Sequence, residues 1–456
     1  MKRIILLVTI IIGGSSLWLY QRPEDPKAEL REFLQAHRFS QRHGLTPDQI
    51  KAMPKKDRPD LAWEQDFLAT LDPALGRPAP ERLIPVYESI SQFLQQTQFT
   101  PGAISTPWVE RGPNNVGGRV RAIMYDPNDP NHKKVWAGGV TGGLWYNNDI
   151  TNPSSQWISV GDFWDNIAVT AIAYDPTNTN TFYVGTGEGW GQSFSGARGA
   201  GVWKTTNGGQ TWTHLSATSG FYFVNDLIVR NESGTGVLYV GLRGNYYGSS
   251  WHGGSQEGLQ RSTNGGTTFT QVMPNVPGQS FNYAVADLEI AADNRLWVGT
   301  TDASYAGSDR GGGRIMYSDN GTTWTVSHSI TNGERVELGC APSDANYVYA
   351  LVEVNSQVGA IIKTVNKGST WTNMAHPNDA DPGISSTDFS RGQAWYDLII
   401  QVSPTDKNTV LTGAIDLFKS TNAGSSWTQI AHWYGYNGYP NVHADQHAII
   451  FKPGSG

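Results

Sequence analysis

The sequence predicts an all-β chain, a β-propeller of four-stranded blades with a small helical lead-in. Three observations predict it. Of 456 residues, 52 are glycine and 17 tryptophan, while only 16% are charged, a balance that suits short strands and tight turns better than helices with Lys- and Glu-rich faces. A turn of fixed composition recurs along the chain, and each interval between two such turns holds about four short apolar strands. With 33 basic against 40 acidic side chains the net charge is -7, which argues against a nucleic-acid partner. Cys340 is the single cysteine, so no intrachain disulfide supports the fold.

The elements follow in chain order. At the amino end Lys2 and Arg3 precede an apolar run from Ile4 to Ile12 and then Gly13, Gly14, Ser15 and Ser16, the layout of an export signal. No A-x-A site is visible, and apolar residues resume at Leu17, so residues 1–22 read as a signal peptide or as an uncleaved membrane anchor. Residues 23–105 hold few glycines and many charged side chains. Thr46, Pro47 and Gln49 mark a helix start there, and a second helical pattern runs from Glu81 to Gln96. This region is the expected helical lead-in, and 106–456 the expected propeller.

The recurring turn reads KTTNGGQTW, RSTNGGTTF, KTVNKGSTW and KSTNAGSSW, ending at Trp212, Phe269, Trp371 and Trp427, with a shorter copy ending at Trp324 and a worn one at Trp157. Successive ends lie 55, 57, 55, 47 and 56 residues apart. In each interval an apolar strand is followed by one ending in glycine, as in KVWAGG or FYVGTG; the third strand enters the turn and the fourth leaves it. Glycine permits left-handed backbone, Asn and the hydroxyls can bond backbone groups of the same turn, and the aromatic buries between blades. First strands are expected near Arg119, Val169, Asn225, Ala286, Val336, Asp397 and His447: six complete units and the opening of a seventh that the sequence does not complete.

These turns resemble the Asp-box, or BNR, repeat, with Asn207, Asn264, Asn366 and Asn422 where that family commonly has Asp. The stretch from Trp108 to Asp149, with YVGTGEGW and HADQHAIIF, looks like secreted bacterial Asp-box propellers of the sortilin-like or glycosyl-hydrolase-like kind. Many of those leave the cell by the type IX secretion route, so the resemblance implies a secreted or cell-surface protein. Related propellers include xyloglucan-degrading hydrolases, sialidases and peptide-binding sortilin receptors, and the fold alone does not choose among them. In the xyloglucanase pattern a catalytic Asp ends the second strand of the first blade. The matching position here is Val140, which disfavours that mechanism, because glycoside hydrolysis of this type needs two carboxylates across the sugar.

Long insertions fall between second and third strands and between blades, so one face is expected to carry recognition. Trp164, Tyr222, Tyr246, Tyr247, Trp251, Trp395, Trp433, Tyr434 and Tyr436 lie in these loops. They read either as a stacking surface for an extracellular polysaccharide or polypeptide, or as packing between blades. Glu188, Asp302, Glu353 and Asp416 end second strands and can ring the channel mouth near Arg243, as an acid and base for glycoside hydrolysis or as paired structural charges. His443, Asp445 and His447 alternate along one expected strand, which would place them on one face as metal ligands or as a hydrogen-bonded cluster. No cofactor is expected.

Overall fold

The computed structural model describes residues 67–72, 74–79, 82, 85, 86, 89, 90, 92, 118–161, 164, 168–190, 196–247, 250–253, 257–303, 309–435 and 438–455. It divides into two units, Met1–Pro85 and Val86–Gly456. The expected signal at 1–22 and the helix start at Thr46 lie outside the described residues. In the first unit a helical turn at 67–70 leads into a hairpin of Leu71–Asp72 on Arg77–Pro78. Asp72 Oδ1 closes that hairpin by accepting the N–H groups of Ala74 and Leu75. No helix among the described residues is long and apolar enough to cross a membrane.

The second unit is a six-bladed β-propeller, each blade a four-stranded antiparallel sheet. In the first blade Val120–Tyr125, Val135–Gly139, Gly143–Asn147 and Trp157–Val160 pair in chain order. The other blades open with inner strands Val169–Asp175, Val224–Glu232, Ala284–Ile290, Val336–Cys340 and Ile399–Val402, each starting within two residues of its expected position. The expected seventh opening does not become a strand: residues 447–450 line the central cavity beside the six inner strands but pair with none of them.

Second strands such as Leu296–Thr301 are buried along their whole length, which is why they read as unbroken apolar runs rather than alternating ones. The core lies between neighbouring blades. Tyr349, Leu351 and Ile361 of the fifth blade, for example, pack with Leu398, Ile400 and Phe418 at and beyond the start of the sixth. In the first three blades a glycine one residue before the end of the second strand permits this approach. A Cβ on Gly138, Gly185 or Gly241 would strike Val169, Val224 or Val285 at the head of the next blade.

The recurring turns are staples of one pattern. In the second blade Asn207 Oδ1 accepts from Thr205 Oγ1 at 2.8 Å and from Thr211 N at 3.0 Å, Asn207 Nδ2 donates to Thr211 Oγ1, and Gly209 N donates to Thr205 Oγ1. Asn264, Asn366 and Asn422 repeat the Oδ1 and Nδ2 bonds. The closing aromatic packs on the preceding blade, as Trp371 does on Trp297 with ring centroids 6.1 Å apart. Gly208 N donates to Asn180 O and Ala423 N to Asn408 O, so these turns share a face with the first-to-second turns. Strand alternation then puts the long insertions on the opposite face, as expected.

Candidate functional site

Trp190, in the insertion after the second strand of the second blade, closes the centre of the insertion face. It packs on Ala286 and Tyr396 with Trp395 at their edge. Two guanidiniums lie over its ring, Arg243 at 4.8 Å and Arg335 at 4.2 Å from the centroid. Arg335 is fixed in place by bonds to Glu337 Oε1, Tyr396 O and Leu398 O. From the first blade Arg121 pairs with Glu188 Oε2 at 2.7 Å, both side chains buried, and lies over the Tyr396 ring at 4.7 Å. Arg119 donates to the Tyr396 hydroxyl.

Three of the four sequence-predicted carboxylates belong to this mouth. Glu188 accepts from Arg121 and from the N–H of Trp190. Asp302 pairs with Arg310 Nη2 at 2.5 Å; burial pushes its carboxyl up while Arg310 and Arg243 oppose that push. Burial, reinforced by Glu334, holds the Glu353 carboxyl up at about 7. Its Oε2 accepts the Arg335 N–H at 3.3 Å, whereas Oε1 meets no hydrogen-bond partner among the described residues. Asp416 belongs to a separate bracket, where Oδ2 bonds Arg391 Nη2 at 3.0 Å and Oδ1 accepts the Trp433 N–H at 2.7 Å. Burial pushes its carboxyl up against those bonds.

The aromatic residues range from buried through half-buried to exposed. Trp164 is buried and stacks flat on Trp203 at 4.6 Å, so it packs within the blades rather than on a rim. Tyr222 and Trp395 are half-buried, the first beneath Arg198 and the second against Tyr396. Tyr246 is exposed and meets the half-buried Trp251 edge-to-face across the hairpin of Asn245–Tyr247 and Ser250–His252, which also contains Tyr247. Trp433 and Tyr434 are the most open, 41% and 48% exposed, with ring centroids 4.6 Å apart and planes at 87°. Tyr436 lies outside the described residues.

His443, Asp445 and His447 do not form one group with metal-type spacing among the described residues, although Asp445 and His447 both approach Asp397. Their segment is not a strand, and Asp445 takes left-handed backbone with φ 67, so the two-residue alternation that would align them does not operate. His443 Nδ1 faces Ala444 O. His447 Nδ1 stands 3.3 Å from Asp397 Oδ1. Burial, with Arg121 and Arg335 behind it, pulls the His447 imidazole down to about 2, while burial and then Asp445 push the Asp397 carboxyl up to about 8. The group with metal-type spacing among the described residues is instead Asp379, Asp381 and His432, whose ligand atoms lie within 4.8 Å of one another. Arg391 already supplies counter-charge to both aspartates there.

Sequence reasoning also missed the central cavity of about 320 Å³, lined by Asp226, Asp287, Glu289 and Glu337. Asp226 Oδ2 accepts the Leu288 N–H of the next blade, and Asp287 Oδ2 accepts the Leu338 N–H of the one after. These carboxylates stitch inner strands together. Burial leads in pushing all four up, Asp226 to about 7 and Glu289 to about 8. The signal was present as an acidic residue inside three successive inner strands, VNDLIVRNE, AVADLEI and VELGC.

No family model matches the chain. It is similar to a xyloglucanase of Paenibacillus sp, 24% identical over 387 residues that cover 76% of this chain and 35% of the relative. A xyloglucanase of Hypocrea jecorina is 23% identical over 367 residues, covering 70% and 39%. The chain thus spans little more than a third of the length of these curated relatives. Among solved structures, the GH74 xyloglucanase from Xanthomonas campestris aligns with TM-score 0.44 and 14% identity over 68% of this chain and 54% of its own. YCF48 from Cyanidioschyzon merolae aligns with TM-score 0.44 and 12% identity over 68% and 85%.

Proposed function

We propose that this chain is an extracellular propeller of the Asp-box type that binds polysaccharide on its insertion face. The carrying observation is the exposed, mutually perpendicular pair Trp433 and Tyr434. Flat aromatic faces stack on sugar rings while their polar edges stay wetted. The names of the curated relatives favour a polysaccharide over a polypeptide, and the basic-then-apolar amino end favours export. Glu188 and Asp302 at the mouth, and Asp416 in its separate bracket, are already held by arginines, which suits a binding surface better than a free acid and base.

A second reading, glycoside hydrolysis, is favoured by Glu353, whose carboxyl is held at about 7 beside Glu334, a value suited to a general acid near neutral pH. One experiment separates the two. The purified protein is passed over a panel including xyloglucan, mixed-linkage glucan and xylan, with retention and released reducing sugar measured together. Binding predicts retention without release, lost by about tenfold or more in Trp433→Ala and unchanged in Glu353→Gln and Asp302→Asn. Hydrolysis predicts release that Glu353→Gln or Asp302→Asn abolishes. Neither retention nor release on any glycan overturns both.

A further inference from the structure

Trp433 and Tyr434 stand on a buried charged frame. The Trp433 N–H donates to Asp416 Oδ1 at 2.7 Å, and the Tyr434 hydroxyl donates to Asp381 Oδ1 at 2.6 Å. Beneath them the fully buried His432 ring meets Tyr434 edge-to-face at 4.2 Å, and its Nε2 lies 3.1 Å from the same Asp381 oxygen. A single Arg391 nitrogen, Nη2, lies 2.7 Å from Asp379, 2.8 Å from Asp381 and 3.0 Å from Asp416.

These groups come from three separate stretches: the connection from the fifth to the sixth blade (Asp379, Asp381, Arg391), the second-to-third turn of the sixth blade (Asp416), and the segment leaving its fourth strand (His432 to Tyr434). Arg391 itself takes left-handed backbone, φ 54, a conformation that side-chain-bearing residues hold only when their surroundings enforce it. Here that enforcement is visible: Gly392 N, next in the chain, is held by Asp388 Oδ2 at 2.9 Å, and the guanidinium is held by three carboxylates.

We propose that Asp381, Asp416 and Arg391 are positioning residues that pre-set the Trp433 and Tyr434 rings for a ligand. The proposal rests on reading those two rings as the polysaccharide-binding surface. A ring that must be ordered when the ligand arrives binds more weakly than one already fixed. Asp381 fixes Tyr434 at its hydroxyl, Asp416 fixes Trp433 at its backbone, and Arg391 ties both carboxylates to each other.

The test uses the full chain labelled with 5-fluorotryptophan, the Trp433 ¹⁹F resonance being assigned by its loss in Trp433→Phe. Asp381→Ala keeps the Tyr434 ring and hydroxyl but removes the hydroxyl's acceptor. Tyr434→Phe keeps the ring and removes the donor, and as an exposed substitution it keeps the test open should Asp381→Ala not fold. Each is expected to shift or broaden the Trp433 resonance and to weaken retention on the glycan that wild type binds about fivefold. The double variant is expected to be no weaker than either single one, and Asp381→Asn, which still offers an oxygen to Tyr434, to restore both readouts. An unchanged Trp433 resonance in a folded single variant, or additive losses in the double variant, overturns the proposal. If wild type binds no glycan, the polysaccharide reading fails by itself, and the ¹⁹F comparison still decides whether the frame positions the rings.

Discussion

Three hydrogen bonds converge on the side chain of Asn264. Its Oδ1 accepts from Ser262 Oγ at 2.9 Å and from Thr268 N at 3.0 Å, while Nδ2 donates to Thr268 Oγ1 at 2.8 Å. Asp, common at this position in the resembling family, would keep both acceptances and lose only the donation, and the Thr268 hydroxyl can rotate to donate instead. Asn264→Asp is therefore expected to stay within about 0.5 kcal/mol of wild type, and Asn264→Ala to lose about 1–2 kcal/mol, the net worth of such bonds at a solvated turn. Thermal or urea unfolding of the two variants checks this, and equal losses would refute the account of the turn. The glycine two residues after the asparagine is constrained more tightly, as the Asn366 turn of the fifth blade shows. Gly368 has φ +84, and a Cβ there would stand 2.6 Å from Trp297 Cη2 of the preceding blade, so Gly368→Ala carries both backbone strain and a clash with a fully buried ring. Loss of more than about 2 kcal/mol is expected in the same unfolding measurement.

The inner strands add a pH dependence that the turns do not have. Burial leads the causes that hold Asp226 at about 7 and Glu289 at about 8, and Asp287 is pushed up as well. Between the ordinary carboxylate range near pH ~4 and these raised values the folded chain keeps protons that the unfolded chain releases. The stability they contribute is therefore fully present at low pH and is lost as pH rises through about 7 to 8. Glu289→Gln mimics the protonated form and still offers an oxygen to the Cys340 N–H, which bonds Glu289 in the native chain. The variant is expected to flatten the fall in Tm between pH 5 and 8, and at pH 8 to exceed wild type by at least about 1 kcal/mol, roughly the worth of one pKa unit. Parallel Tm–pH curves for the two proteins would show that Glu289 does not carry the effect.

At the scale of the whole molecule, the blades were legible because everything that makes one lies within about 55 residues: four strands and a turn. The mouth was not legible, because its partners meet only when the blades are arranged around one axis. Arg121 reaches Glu188 across 67 positions and Arg335 reaches Tyr396 across 61, and no local pattern marks either pair. The four carboxylates were visible at strand ends, yet their arginine partners, the Trp190 seal and the Arg391 frame were not. The same long-range arrangement gives the proposed binding face a charge preference. Under Trp433 and Tyr434 three carboxylates, Asp379, Asp381 and Asp416, stand against one guanidinium, on a chain whose net charge is -7. A neutral glucan stacked on those rings meets no opposing charge, whereas a polyuronate brings its own carboxylates toward that cluster and is repelled over about 10 Å at ~0.1 M salt. Retention of xyloglucan is therefore expected to change less than about twofold between ~0.02 and ~0.3 M salt, and polygalacturonate to be excluded at the lower end, where screening is weakest. Tight retention of polygalacturonate at low salt, abolished by added salt, would mean that the cationic groups of the mouth, and not the aromatic pair above Arg391, receive the ligand.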